Sequence, residues 1–170
     1  MKLISKKKRL VIIICLLVMI ISIIIIRNYI IEIAVISGAS MEPTFMQGDH
    51  VIINRLAYKS KKPEKNDIIA VKTGWLMIVK RVFGVTGDVV ELKGNKLFIN
   101  SNLIKLDTDD EHTLKRRNFG PSIISDHHVF VMGDNPDHSI DSRDYGMIKY
   151  EEIYGKVFMI YFPVKRIKIL

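Results

Sequence analysis

The segment WLMIVKRVF, residues 75–83, is the most informative about the fold. It is rich in aromatic and β-branched residues, a composition typical of β-strands. Because successive side chains of a strand point to opposite faces, Ile78, Lys80 and Val82 share one face. Lys80 is then the polar member of an otherwise apolar face. The segment therefore predicts a strand that places a lysine among apolar side chains.

The chain beyond residue 36 repeats this pattern of short strands separated by Gly, Asp, Asn and Pro. No long stretch has the 3.6-residue period of an amphipathic helix, so we predict a mostly β domain. The further strand candidates are His50–Leu56, Asp67–Lys72, His128–Met132 and Lys156–Phe162, with a hairpin that joins Val89–Leu92 to Leu97–Asn100 through the turn Lys93–Lys96. Charged loops are predicted at Lys59–Asn66 and Asp107–Asn118.

An apolar run near the start predicts a membrane anchor. Leu10–Ile26 is 17 residues without a charge, enough for about 26 Å of helix at about 1.5 Å per residue. Five basic residues and no acidic residue precede it, whereas only Arg27 follows closely, so the positive-inside rule places the N-terminus in the cytosol. A cleaved signal peptide has the same basic start, but no small-x-small site lies directly behind Ile26. The predicted organisation is a cytosolic tail (1–9), a transmembrane helix (10–26), a juxtamembrane segment (27–35) and an extracytoplasmic domain (36–170).

The formal charge of +8 does not indicate a nucleic-acid partner. Residues 1–9 hold five of the 26 basic residues, and the remainder has 21 basic and 18 acidic residues, a balance of only +3. This balance fits an ordinary solvated surface, or one that meets anionic lipid headgroups. Cys15, the only cysteine, lies in the apolar run, so the external domain has neither a disulfide nor a thiol nucleophile.

Ser40 is a candidate nucleophile, in the segment SGASMEPT, residues 37–44. A serine hydroxyl needs a base within hydrogen-bond reach. The histidines are His50, His112, His127, His128 and His138. No Gly-x-Ser-x-Gly elbow surrounds Ser40, however, and a lysine can also serve as the base when burial lowers its pKa well below about 10.4. Lys80 has that setting, although its spacing alone also fits a strand lysine that faces solvent.

Three segments, in order along the chain, resemble the motifs of type I signal peptidases, the membrane-bound serine proteases that remove signal peptides from exported proteins. They are SMEPT (Ser40–Thr44) followed by Gly48-Asp49, KRVFGVTGD (Lys80–Asp88), and GDNPDHSIDSR (Gly133–Arg143) closed by Gly146. The resemblance implies a compact antiparallel β-sheet catalytic domain behind one N-terminal transmembrane helix. It also implies that a Ser/Lys dyad cleaves secretory preproteins after a small-x-small motif.

The resemblance also assigns roles to individual residues. Ser40 is implied to be the nucleophile and Lys80 the general base. Ser139 is implied to hydrogen-bond to the Lys80 amine, and an ion pair between Asp141 and Arg143 is implied to order the loop. The implied walls of the substrate pocket are Ile36, Gly38, Met41 and Val79. Because Gly38 stands where many relatives carry a serine, the Ser40 N–H is expected to be the main oxyanion donor.

No cofactor or metal is expected. The acidic residues of the third motif do not have EF-hand spacing, and the histidines lack zinc-site spacing. We expect a monomer that contacts the bilayer and no nucleic acid, with Tyr29–Val35 and Phe45 in the headgroup layer. Two other functions fit parts of the chain: a self-cleaving repressor-type peptidase, which is cytosolic and has no anchor, and a membrane-tethered binding protein without activity.

Overall fold

An apolar helix begins the part of the chain that the structure, a computed structural model, describes: residues 6–74, 76–94, 96–106 and 119–170. Helix α1 spans Lys6–Ile25 and continues into a π-helical turn, Ile26–Ile30. None of its residues is buried, and its length and composition suit a membrane span. The helix already includes residues 6–9, ahead of the predicted start at Leu10, because lysine and arginine are good helix formers.

Eight of the described strands form one antiparallel sheet. The strands are β1 (Ile31–Val35), β2 (His50–Asn54), β3 (Ile68–Thr73), β4 (Leu76–Val85), β9 (His128–Met132), β10 (Ile148–Lys149), β11 (Ile153–Phe162) and β12 (Lys168–Ile169). Their order in the sheet is β1-β2-β11-β3-β4-β9-β10, and β12 pairs with β11. The predicted fold class, a mostly β antiparallel domain behind an N-terminal apolar helix, is confirmed.

A second, smaller sheet follows β4 and has the order β7-β6-β5-β8. Its strands are β5 (Val89–Lys93), β6 (Lys96–Ile99), β7 (Asn102–Ile104) and β8 (Phe119–Ile123). The predicted hairpin is present, with Leu92 of β5 opposite Leu97 of β6. Short helical segments complete the described chain: α2 (Ser142–Tyr145) and the 3₁₀ turns Pro136–His138, Tyr150–Glu152 and Val164–Arg166.

Strand β1 is the main difference from the predicted organisation. Residues 27–35 were expected to form a juxtamembrane segment, but β1 pairs with β2 from Ile31 opposite Asn54 to Val35 opposite His50. The sheet thus begins five residues before the predicted boundary at residue 36. The other unpredicted strands, β7, β8, β10 and β12, have only two to five residues, too few to give a clear pattern. The predicted loop Asp107–Asn118, with His112, lies outside the described residues.

Phe45 corrects another expectation. It is fully buried, in a core cluster with Val51 and Ile53, rather than in the headgroup layer. The reason is the turn that follows Ser40, in which the Phe45 N–H donates to the Met41 carbonyl at 2.9 Å. This turn directs both apolar side chains into the core, where each contributes about 1.5–3 kcal/mol of burial free energy.

Three aspartates fasten the turns that precede β2, β3 and β5. Asp49, Asp67 and Asp88 each accept a backbone N–H from the residue three positions earlier. The residue before each aspartate has a positive φ, 88° at Gly48 and Gly87. Each carboxylate also pairs with a distant cation, in the pairs Asp49–Arg166, Asp67–Lys156 and Asp88–Lys65. The same type of turn therefore precedes three strands, and in each case the aspartate connects the start of the strand to a distant part of the domain.

Candidate active site

Ser40 and Lys80 are brought together by one loop and one strand. Lys80 lies in the middle of β4, opposite Ile69 of β3. Ser40 lies in the loop between β1 and β2, which is closed by a 2.8 Å hydrogen bond from the Ile36 N–H to the Asp49 carbonyl. The Lys80 Nζ and the Ser40 Oγ are 2.8 Å apart, a hydrogen-bond distance.

Lys80 is buried, with only 3% of its surface exposed. Ile78 and Val82 pack with one core cluster and Val79 packs against another, so the predicted alternation of faces is present. Burial lowers the pKa of Lys80 from its usual value, because the charged amine loses water, while the negative charge of Asp141 opposes the shift. The alternative interpretation of the sequence, in which Lys80 faces solvent, is therefore wrong.

Gly133, directly after β9, packs against the backbone of the Ser40 loop. A Cβ at this position would lie 2.3 Å from the Ser40 carbonyl oxygen and 2.5 Å from the Ser139 Oγ, so no larger residue fits without movement. Asn135, two residues after Gly133, also holds the Ser40 loop, because its backbone N–H donates to the Ser40 carbonyl oxygen at 3.0 Å. The third motif thus positions the backbone of the first.

Ser139 does not make the hydrogen bond that the resemblance implies. Within the described residues its Oγ donates to the Asp141 Oδ2 at 2.7 Å, and the hydrogen bond of Lys80 Nζ is to Ser40. The reason is that Asp141, two residues further on, offers a charged acceptor, which forms a stronger hydrogen bond than a neutral one. Ser139 nevertheless lies next to Ser40, because both border the Cβ position of Gly133.

The implied ion pair between Asp141 and Arg143 is present and buried. The Arg143 Nε lies 2.8 Å from the Asp141 Oδ1, and its Nη2 lies 2.9 Å from the Oδ2, so the contact is bidentate. Arg143 also donates to the Pro136 carbonyl at 2.7 Å, and Asp141 accepts the Gly133 N–H at 3.1 Å. The pair therefore connects the loop that carries Ser139 to the end of β9.

A second bidentate pair, between Arg81 and Asp134, was not anticipated from the sequence. The Arg81 Nε and Nη2 each lie 2.7 Å from an Asp134 carboxylate oxygen. Arg81 also donates to the Thr44 Oγ1 at 3.3 Å, which links the three motifs at one point. Both residues were visible in the quoted motifs, but only the pairing of β4 with β9 shows that they meet.

The four implied pocket residues are not equivalent. Ile36 and Met41 are nearly fully buried in the first core cluster, with 8% and 2% of their surface exposed. Val79 is partly buried against the same cluster, and Gly38 is exposed with a φ of 94°. Because so little of their surface is exposed, Ile36 and Met41 can contribute only to the floor of a substrate pocket and not to its walls.

Strand β4 has one open edge that ends at Lys80. β3 pairs with β4 from Leu76 to Arg81, whereas β9 pairs with the other edge only from Arg81 onward. Among the described strands, nothing pairs with that second edge over Leu76–Lys80. An extended peptide can add to such an edge through main-chain hydrogen bonds.

Three acidic residues in and directly after the third motif already bind other groups of the protein. Asp134 and Asp141 each bind an arginine, and Asp144 accepts the Asp141 N–H at 3.1 Å as part of the cap of α2. In the described part of the chain no group of three or more His, Cys, Asp or Glu side chains is arranged to hold a metal ion.

Comparisons with known proteins agree on one family. The family model described as "Signal peptidase, peptidase S26" matches residues 7–162. Signal peptidase I P from Bacillus subtilis subsp. natto is 33% identical over 155 residues, which cover 85% of this chain and 83% of that protein. Signal peptidase I S from Bacillus subtilis (strain 168) is 31% identical over 156 residues, with 85% and 84% covered. A crystal structure of a signal peptidase I from Enterococcus faecalis V583 is 28% identical, with a TM-score of 0.47, and covers 56% of this chain and 97% of that one.

Proposed function

Because this chain belongs to the signal peptidase family, peptidase S26, and is thus a signal peptidase that removes signal peptides, we propose that Ser40 and Lys80 form its catalytic dyad. The observation that carries this proposal is the 2.8 Å distance between the Ser40 Oγ and the buried Lys80 Nζ. No other base is needed, because an amine with a lowered pKa can accept the serine proton.

The proposed reaction uses this geometry. The neutral Lys80 amine accepts the Ser40 proton while the Ser40 Oγ attacks the carbonyl carbon of the scissile bond. The Ser40 N–H stabilises the oxyanion that forms, and the Lys80 ammonium gives its proton to the departing amine. Lys80 then activates a water molecule, which hydrolyses the acyl-enzyme and releases Ser40.

Ser139, Asp141 and Arg143 act as positioning residues in this proposal. Since Ser139 donates its proton to Asp141, its oxygen lone pairs remain free to accept a hydrogen bond from Lys80 when the amine is charged. The ion pair with Arg143 keeps the Asp141 carboxylate in place for that role. The loop thus stabilises the protonated base without removing its access to Ser40.

The open edge of β4 over Leu76–Lys80 is proposed to bind the signal peptide as an added strand. Side chains of such a strand alternate, so every second one faces the protein. We propose that Ile36 and Met41, which are almost fully buried, form the floor of a shallow pocket with Val79, so that only small side chains fit there. This arrangement supports cleavage after a small-x-small motif.

Relatives of this family are membrane-anchored, and α1 is proposed to be the single anchor, with the N-terminus in the cytosol and the catalytic domain outside. The uncovered apolar surface of α1 supports a lipid environment. The exposed side chains of Tyr29, Ile33 and Val35 lie next to its end, which supports contact with the headgroup layer. We propose that the enzyme acts as a monomer on membrane-bound preproteins.

The test uses the full chain in detergent micelles and a peptide with a small-x-small signal-peptide cleavage site. The wild-type protein should cleave it at that site, and S40A and K80A should each abolish turnover. K96A, which removes an exposed lysine from β6, is the matched control and should leave the rate unchanged. Retained turnover in K80A, with the fold verified by circular dichroism, would show that Lys80 is not the base.

A further inference from the structure

Arg166, which lies outside all three motifs, binds the loop that carries Ser40. It ends the 3₁₀ turn Val164–Arg166, which follows β11. The Arg166 Nε lies 2.9 Å and 3.1 Å from the two carboxylate oxygens of Asp49, and the Nη2 donates to the Thr44 carbonyl at 3.3 Å. One guanidinium group therefore holds the Ser40 loop at two points, Thr44 in its middle and Asp49 at its end.

Asp49 is the residue at which this loop closes. Its carbonyl accepts the Ile36 N–H at 2.8 Å, and its carboxylate accepts the Met46 N–H at 2.8 Å. Only 1% of the surface of Asp49 is exposed, and its ion pair within the described residues is with Arg166. A buried carboxylate that loses its cation is strongly destabilised, so Arg166 keeps this carboxylate at the closure of the loop.

Thr44 is held by two arginines that bind different groups. Arg166 donates to its carbonyl, and Arg81, the neighbour of Lys80 in β4, donates to its Oγ1 at 3.3 Å. The backbone and the side chain of Thr44 are thus fixed from separate elements. Without Arg166, the bond to Arg81 alone would leave the backbone at Thr44 free to shift.

The turn between Ser40 and Thr44 transmits such a shift to the nucleophile. The Phe45 N–H donates to the Met41 carbonyl at 2.9 Å, and both side chains are buried in the first core cluster. Because this turn is hydrogen-bonded and packed, a displacement at Thr44 moves it as a unit. Ser40 directly precedes the turn and moves with it.

We propose that Arg166 is a positioning residue for the reaction, because its contacts with Thr44 and Asp49 keep the Ser40 Oγ at hydrogen-bond distance from the Lys80 Nζ. The inference rests on the proposed function, since it requires Ser40 to be the nucleophile. A displacement of roughly 1 Å at a reacting group lowers the rate by a large factor. The loss of Arg166 should therefore lower kcat, whereas KM should change little, because the proposed signal-peptide edge belongs to β4.

The experiment compares kcat, KM and the melting temperature of R166A, R166K and a matched control, all as full chains in detergent micelles with the signal-peptide substrate. The control is K65A, because Lys65 pairs with Asp88 in the same type of turn at the start of β5, far along the chain from Ser40. R166A should lower kcat about tenfold or more at a temperature where it is folded, with KM within about twofold of the wild-type value. K65A should keep the wild-type kcat.

R166K separates positioning from a purely structural role. A lysine restores the charge opposite Asp49, but it lacks the planar fork that reaches both Asp49 and Thr44. The melting temperature of R166K should therefore return toward the wild-type value while its kcat stays below it by about threefold or more. R166K also carries the test if R166A is too unstable to assay.

A wild-type kcat in R166A would overturn the inference, and so would an equal loss of kcat in R166A and K65A. A complete recovery of kcat in R166K would equally show that only the charge opposite Asp49 matters. These results would leave the proposed function intact, because it fails only if S40A or K80A retains turnover.

Discussion

The burial of Lys80 lowers the stability of the protein and, in the proposed mechanism, gives this residue its reactivity. A lysine with 3% of its surface exposed loses most of its hydration, and this loss destabilises the charged form in the folded state. The pKa of Lys80 is therefore lowered, and the negative charge of Asp141 only partly opposes this effect. In the proposed mechanism this unfavourable burial is what lets the amine act as a base near neutral pH.

The variant K80M should be inactive but more stable than the wild type near neutral pH, by about 1–2 kcal/mol in the free energy of unfolding. The sign follows from the lowered pKa: the cost of burying the charged amine is complete below the folded-state pKa and disappears above the usual value of 10.5. The stability difference should therefore decrease as the pH rises toward that value. Thermal unfolding at neutral and alkaline pH measures it, and a constant difference would contradict the explanation.

At the scale of elements, two glycines permit close approaches with different consequences. Gly133 lets the end of β9 contact the Ser40 loop, where an added Cβ would lie 2.3 Å from a carbonyl oxygen. Gly155 lets β11 approach β2, where an added Cβ would lie 2.5 Å from the Asn54 carbonyl oxygen. Both contacts are with backbone, so neither is relieved by the rotation of a side chain.

The variants G133A and G155A should both lose about 1–3 kcal/mol of stability, because each forces backbone apart. Only G133A should lower kcat, by about tenfold or more, since a shift of roughly 1 Å at a catalytic group has effects of this size or larger. The measurement is kcat on the signal-peptide substrate at a temperature where both variants remain folded. A similar kcat in the two variants would mean that the contact at Gly133 serves stability alone.

At the scale of the whole molecule, the anchor and the catalytic domain are joined without a linker. The π-helical turn Ile26–Ile30 leads directly into β1, and the Arg55 N–H donates to the Ile30 carbonyl at 2.9 Å. β1 then pairs with β2 along its whole length, and Ala34 packs against the first core cluster. The first strand of the sheet therefore starts where the apolar helical segment ends.

A chain that begins at Tyr29 should fold and cleave short peptides, because it retains β1. A chain that begins at Ile36, the boundary predicted from the sequence, should have a melting temperature lower by roughly 10 °C and should associate, since it exposes the edge of β2. Circular dichroism and size-exclusion chromatography in detergent distinguish the two. Equal melting temperatures and equal elution would show that β1 is dispensable to the domain.

The local properties of this protein can be predicted from its amino-acid sequence. The uncharged run 10–26 predicts a membrane helix, and the alternating pattern of residues 75–83 predicts a strand, because helix length and strand periodicity depend on neighbouring residues alone. The three motifs determined the family and indicated Ser40 and Lys80. These properties could be read before any contact between distant segments was known.

The contacts between distant groups become visible only in the folded chain. The contact of Ser40 with Lys80 at 2.8 Å, the pairing of Arg81 with Asp134, and the burial of Phe45 all join segments that the order of the chain does not bring together. The structure also directed Ser139 to Asp141 rather than to Lys80. The physical reason is that hydrogen bonds and burial act over a few ångströms of space, and strand pairing, not position in the sequence, sets those distances.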